Sequence, residues 1–104
     1  MARGMGDILK QAQQMQSKML AIQESLKDKR VESSVGGGMV KVTADGQQNI
    51  IDIKISPEII KPEEAGMLHD LVLSGVQEAI KQSRELAAKE MSALTGGMNL
   101  PGMF

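Results

Sequence analysis

The sequence has no cysteine, tryptophan or tyrosine, and its one phenylalanine, Phe104, is the last of 104 residues. Lack of cysteine excludes a disulfide framework, a thiolate metal site and a thiol nucleophile. Lack of aromatic anchors leaves a core of Ile, Leu, Val, Ala and Met, which buries less area per residue, so self-association is the expected remedy. No apolar run approaches the roughly 18 residues of a membrane span, and no signal-peptide pattern opens the chain, so a cytoplasmic, bacterial-type protein is expected. A strong charge of either sign is also missing: the net charge of −1 argues against coating nucleic acid by bulk electrostatics. Its distribution is uneven, because Arg3, Lys10, Lys18, Lys27, Lys29 and Arg30 outnumber Asp7, Glu24 and Asp28, leaving the first 30 residues at +3 and the remainder at −4. A local basic surface is compatible with that balance.

What is present reads as one soluble domain over residues 1–104, with residues 1–6 and 96–104 as flexible tails. Its centre is Gly36 to Pro57. Alternation along Met39–Ala44 and Ile50–Ile55 predicts two strands, and the Asp45-Gly46 pair between them suits a tight type I′ hairpin turn. Val40, Val42 and Ala44 share one face of the first strand, and Ile51, Ile53 and Ile55 one face of the second. A lone hairpin is marginal, so Val31–Val35 is expected to pair as a third strand, with helices or a second copy covering the apolar face.

Before the sheet, Asp7 is a plausible N-cap for a helix to about Asp28. Ile8, Ala12, Met15, Met19, Ile22 and Leu26 follow at alternating spacings of four and three, a heptad seam that serves either a partner helix or the chain's own sheet. Five glutamines, Gln11, Gln13, Gln14, Gln16 and Gln23, supply an uncharged polar side. After the sheet, Ser56-Pro57-Glu58 reads as a capped turn, and a second helix is predicted from Pro62 to Leu94. At about 1.5 Å per residue it is about 48 Å long, far beyond a compact domain of this size, so its end should project. Gly75, Ala79, Ser83 and Ala87 form a row of small side chains that lets another backbone approach closely. Lys81, Glu85 and Lys89 read as an alternating charge ladder, whereas Arg84 lacks an acidic helical partner and is the candidate for an external anion on this helix.

No catalytic constellation emerges. Gly36-Gly37-Gly38 is followed by a strand rather than by Gly-Lys-Ser/Thr and a helix, which excludes a phosphate loop. His69 stands beside Asp70, but adjacent helical positions point in different directions, so spacing gives no dyad. Neither a metal nor another cofactor is implied, and no small-molecule substrate or membrane partner.

With these pieces in place, the chain closely resembles the YbaB/EbfC family of bacterial nucleoid-associated proteins. The resemblance rests on Leu9–Gln16 with Lys18-Met19, on Gly38–Thr43 with Gly46, and on Ile55-Ser56-Pro57. It continues through Met67-Leu68, Asp70-Leu71-Val72 and Ala79 to Met91, Thr95–Met98 and Leu100-Pro101. His69 stands where the family pattern has an acid. The resemblance implies an α+β fold of order α-β-β-β-α, with a long helix at each end of a three-stranded antiparallel sheet. It further implies a homodimer whose helices project like tweezers, and a non-enzymatic role in the nucleoid, binding double-stranded DNA and influencing nucleoid organisation and gene expression. Lys10 and Lys18 match the first-helix motif and are the leading DNA-binding candidates, followed by Lys81, Arg84 and Lys89. Val40, Val42, Ile51, Ile53, Gly75 and Ala79 are the candidate dimer contacts. The alternative is a dimeric protein-interaction module whose Met- and Gln-rich helices grip another protein without touching DNA.

Overall fold

The computed structural model describes residues 3–95. Helix α1 (Arg3–Leu26) leads into strands β1 (Arg30–Val35), β2 (Val40–Asp45) and β3 (Ile50–Ile55), and helix α2 (Ala65–Thr95) closes the order. The strands form one antiparallel sheet in the order β1-β2-β3, as the alternation predicts. Ser33 lies opposite Val42 and Val35 opposite Val40, while Val40 and Val42 face Ile55 and Ile53 on the other side. Directly opposed residues point to the same face, so one side of the sheet is apolar and the other carries Glu32, Lys41, Asp52 and Lys54.

Helix α2 covers the apolar side. Val40, Val42, Ala44 and Ala79 are fully buried at this contact, with Ile59 beside them. Each buried valine or isoleucine contributes about 1.5–3 kcal/mol. The row of small residues is where helix and sheet meet: a Cβ on Gly75 would stand 2.9 Å from Val42 Cγ2. Two buried hydroxyls fasten the contact. Ser33 Oγ donates to the Gly75 carbonyl at 2.7 Å, and Ser83 Oγ donates to the Asp45 carbonyl at 2.6 Å while accepting from the Gln48 amide at 3.0 Å.

The turns differ from the sequence reading in instructive ways. All three glycines of the β1–β2 turn have positive φ, at 63°, 68° and 93°, a backbone that residues with a side chain rarely adopt, so the segment is a tight turn. The β2–β3 turn spans Gly46 to Asn49 instead of being a two-residue type I′ turn, and its left-handed residue is Gln48 at φ 65°. Asp45 holds this longer loop, its carboxylate accepting from the Gln47 and Asn49 amides at 2.8 and 2.9 Å. Gly46 serves a close approach: its amide donates to the Leu26 carbonyl at 2.9 Å, and a Cβ would stand 2.7 Å from that oxygen. Ile51 is an extra residue where the β2–β3 register shifts between Thr43 and Ala44, a bulge that leaves it without an opposed residue on β2.

The helix limits also shift. Helix α1 starts at Arg3 rather than Asp7, since Gly4 and Gly6 weaken a helix by about 1 kcal/mol each but keep their amides and do not stop it. The turn at Ser56 is capped as expected, and a 3-10 turn at Pro62–Glu64 feeds α2. The carboxy-terminal tail read over residues 96–104 lies outside the described residues, as do Met1 and Ala2 of the expected lead-in. The Cα radius of gyration is 20.1 Å, against about 13 Å for a compact chain of this length.

Candidate nucleic-acid interface

Helix α1 forms because a continuous apolar stripe runs among good helix formers, and it stops where Arg30 bonds the Lys27 and Lys29 carbonyls at 2.8 and 2.9 Å. Only its last turns are anchored. Leu26 is buried and Ile22 half-buried, and Gln23 and Leu26 lie beside Ala87 and Met91 of α2. Lys29 adds an ion pair to Glu90 at 3.6 Å. From Met91, α2 continues only to Thr95, about 6 Å further, whereas Lys10 is about 20 Å from Gln23 along α1. Among the described residues the amino-terminal half of α1 therefore extends beyond α2.

On that arm Lys10 and Lys18 are exposed and, among the described residues, form no ion pair. They are about 12 Å apart along the axis: Lys10 is on the side away from Ile8, Met15 and Met19, and Lys18 lies about 80° round the helix from it, bordering that stripe, with the exposed Gln14 between them. Their spacing presents two ammonium groups to successive anionic positions, as a polyphosphate backbone offers. Lys81, Arg84 and Lys89 are likewise exposed. The expected ladder through Glu85 does not close into ion pairs among the described residues. Arg84 lies nine residues beyond the sheet-facing Gly75, hence on the outer side of α2, with Lys81 a turn before it. Lys89 stands about 140° round the helix from Arg84, so these three do not share one face.

The candidate dimer contacts divide. Val40, Val42, Gly75 and Ala79 lie inside the protomer, where the helix packs on its own sheet, and so present no surface to a second copy. The row of small residues was correctly read as a close contact, but its partner is the chain's own β1 and β2. Ile51 and Ile53 remain 49% and 38% exposed, because α2 lies over β1 and β2 and only grazes β3. The first half of α2 reads as strongly apolar in the sequence, but sequence reasoning missed that Leu68, Val72, Leu73 and Val76 on its flank line an open groove with His69. The signal was present in the helical spacing of Val72, Leu73, Val76 and Ile80 around one side of the helix.

The electrostatics are those of a framework. The Asn49 side-chain amide, with backbone amides, holds the Asp45 carboxyl below its ordinary value against the opposing effect of burial. A hydrogen bond to Glu24 raises the pKa of the exposed Lys27 ammonium just past the end of α1. His69 Nδ1 does come within 3.3 Å of Asp70 Oδ1, but both side chains are more than three-quarters exposed and no nucleophile accompanies them. Among the described residues no group of three or more His, Asp or Glu is placed to hold a metal, and no helix is long and apolar enough to cross a membrane.

Residues 1–98 match the model of the YbaB/EbfC DNA-binding family. The chain belongs to that family. A nucleoid-associated protein of Desulforamulus reducens is 48% identical over 104 residues, covering all of this chain and 99% of the relative. One from Pelotomaculum thermopropionicum is 44% identical over 104 residues, with 100% and 99% covered. Among solved structures, the uncharacterized protein HP0035 from Helicobacter pylori superposes with a TM-score of 0.62 at 24% identity, over 75% of this chain and 90% of that one. That likeness shows the fold. In this YbaB/EbfC member Lys10, Lys18, Lys81, Arg84 and Lys89 stand exposed on the two long helices, Lys41 and Lys54 on the outer face of the sheet, and the sheet with its buried α2 contact is the scaffold that carries them.

Proposed function

We propose that this YbaB/EbfC protein acts as a homodimer that grips double-stranded DNA through phosphate contacts, in the nucleoid, and contributes there to nucleoid organisation and gene regulation without catalysing a reaction. The observation that carries the reading is the pair Lys10 and Lys18, exposed and, among the described residues, in no ion pair, on an arm that extends past the described part of α2. Family membership supports DNA as the ligand, and the nucleoid-associated names of relatives such as that from Desulforamulus reducens support the setting. Lys81 and Arg84 on the outer side of α2 supply further phosphate contacts, and Lys89 a peripheral one. Two copies double a modest number of cations, which reconciles DNA binding with a net charge of −1.

The dimer contact in this reading is the uncovered strip formed by Ile51 and Ile53 of β3 with Leu73 and Val76 of α2. Exposed apolar surface of this kind marks an interaction site, and a core without aromatic anchors gains most from covering it.

Fluorescence anisotropy with a labelled random-sequence duplex tests the reading. The protein is expected to bind at low salt, and a Lys10→Glu, Lys18→Glu variant of unchanged helicity to lose most of its affinity. No binding at low salt would sink the proposal and favour the protein-interaction alternative.

A further inference from the structure

Because α1 begins at Arg3, Met5 joins the heptad seam three residues before Ile8. Met5, Ile8 and Met19 are 70%, 63% and 39% exposed, and Ala12 between them is exposed as well. Met15 is half-buried, and among the described residues α2 reaches only alongside the carboxy-terminal turns of α1, so the stretch from Met5 to Ala12 is left uncovered. We propose that this part of α1 is a second self-association surface, on which the α1 helix of another copy packs along Met5, Ile8, Ala12, Met15 and Met19. It is distinct from the strip on β3 and α2 and needs neither that contact nor DNA.

The spacing of alternate threes and fours is that of a seam shaped for another helix, narrower than the face a helix turns to a sheet. The residues bordering the seam choose the occupant. In heptad terms Met5, Ala12 and Met19 are a positions and Ile8 and Met15 are d positions, so the flanking e and g places hold Leu9, Gln11, Gln16 and Lys18. Only Lys18 among them is charged, so two copies meet with little like-charge repulsion, and glutamine donors and acceptors are self-complementary. A partner selected by charge would find almost no charge to read here. Lys10 and Gln14 lie on the far side of α1 and stay accessible when two seams pair, so the contact joins DNA-binding arms without masking Lys10.

The lack of native cysteine makes a direct test. An Ala12→Cys, Met15→Cys chain places one thiol at an a and one at a d position, so it meets its counterpart in either helix orientation; a Gln14→Cys, Ser17→Cys chain places both on the opposite side. With a short bifunctional maleimide at micromolar protein, the seam pair should give a covalently paired chain and the outer pair severalfold less. Recovery of the seam pair as single chains only, because another part of the same chain or nothing occupies the seam, would overturn the proposal, as would equal cross-linking of the outer pair. Adding Ile53→Asp should leave the seam cross-link in place, and its loss would refute an independent surface. Sedimentation of an Ile8→Asp, Met19→Asp variant, with helicity checked by circular dichroism, should show the heaviest species of the parent protein gone; an unchanged mass distribution contradicts the assignment.

Discussion

Replacing Gly75 by leucine forces a side chain into a space where even a Cβ would stand 2.9 Å from a buried valine methyl. Overpacking of this kind costs about 1–3 kcal/mol, more than the roughly 1 kcal/mol of helix propensity gained over glycine. The urea midpoint of Gly75→Leu should therefore fall, and an unchanged midpoint would remove the close helix–sheet contact from the account. Asp45 offers a pH-dependent counterpart. Its carboxyl is held below the ordinary value in the folded state, so its contribution is complete above that value and is lost as the pH falls through the lowered folded one. An Asp45→Ala variant should lose about 1–3 kcal/mol at pH 7, where two turn amides lose their acceptor, and the deficit should shrink below about pH 4. Thermal melts of parent and variant across that range check the sign; a deficit that grows on acidification would reverse it.

The elements were legible to different degrees for physical reasons. Strand alternation exposed β2 and β3 directly, because one face is buried and the other solvated, and the order of elements followed. Gln48 and Asn49 gave no such signal, since the turn depends on side-chain bonds from Asp45 and Ser83 across the fold. Ser83 was legible as a small residue at a close contact, but that it and Ser33 are buried hydrogen-bonding posts between α2 and the sheet was not, since spacing does not name a hydroxyl's partner. The small-residue row showed that something approaches α2 closely but not that it is the chain's own sheet, because the pattern fixes spacing and not the partner. Of the candidate site, Lys10 and Lys18 were legible as cations on one helix; that they sit past the end of α2 needed the three-dimensional arrangement. At this scale the uncovered strip predicts that Ile53→Asp with Leu73→Glu, both at exposed positions, leaves the protomer folded and, in a chain that also carries Ile8→Asp and Met19→Asp, lowers the sedimenting mass to that of one chain. A parent chain already at single-chain mass at micromolar concentration would contradict the proposed dimer.

The whole molecule is long and thin, with principal extents of 75 × 26 × 15 Å, and its exposed basic residues are spread over both helices, the sheet and the connecting loops. Such a molecule holds DNA by placement of a limited number of cations, not by a high overall charge, so the number of phosphates neutralised is the quantity on which the account turns. The salt dependence of duplex binding measures it. With Lys10 and Lys18 from two copies each neutralising a phosphate, the logarithm of affinity should fall with the logarithm of salt at a slope of about −3.6, steeper if Lys81 and Arg84 add contacts. The Lys10→Glu, Lys18→Glu variant should lose that slope along with its affinity. A slope near zero, or one the variant leaves unchanged, would contradict phosphate recognition by the α1 arm.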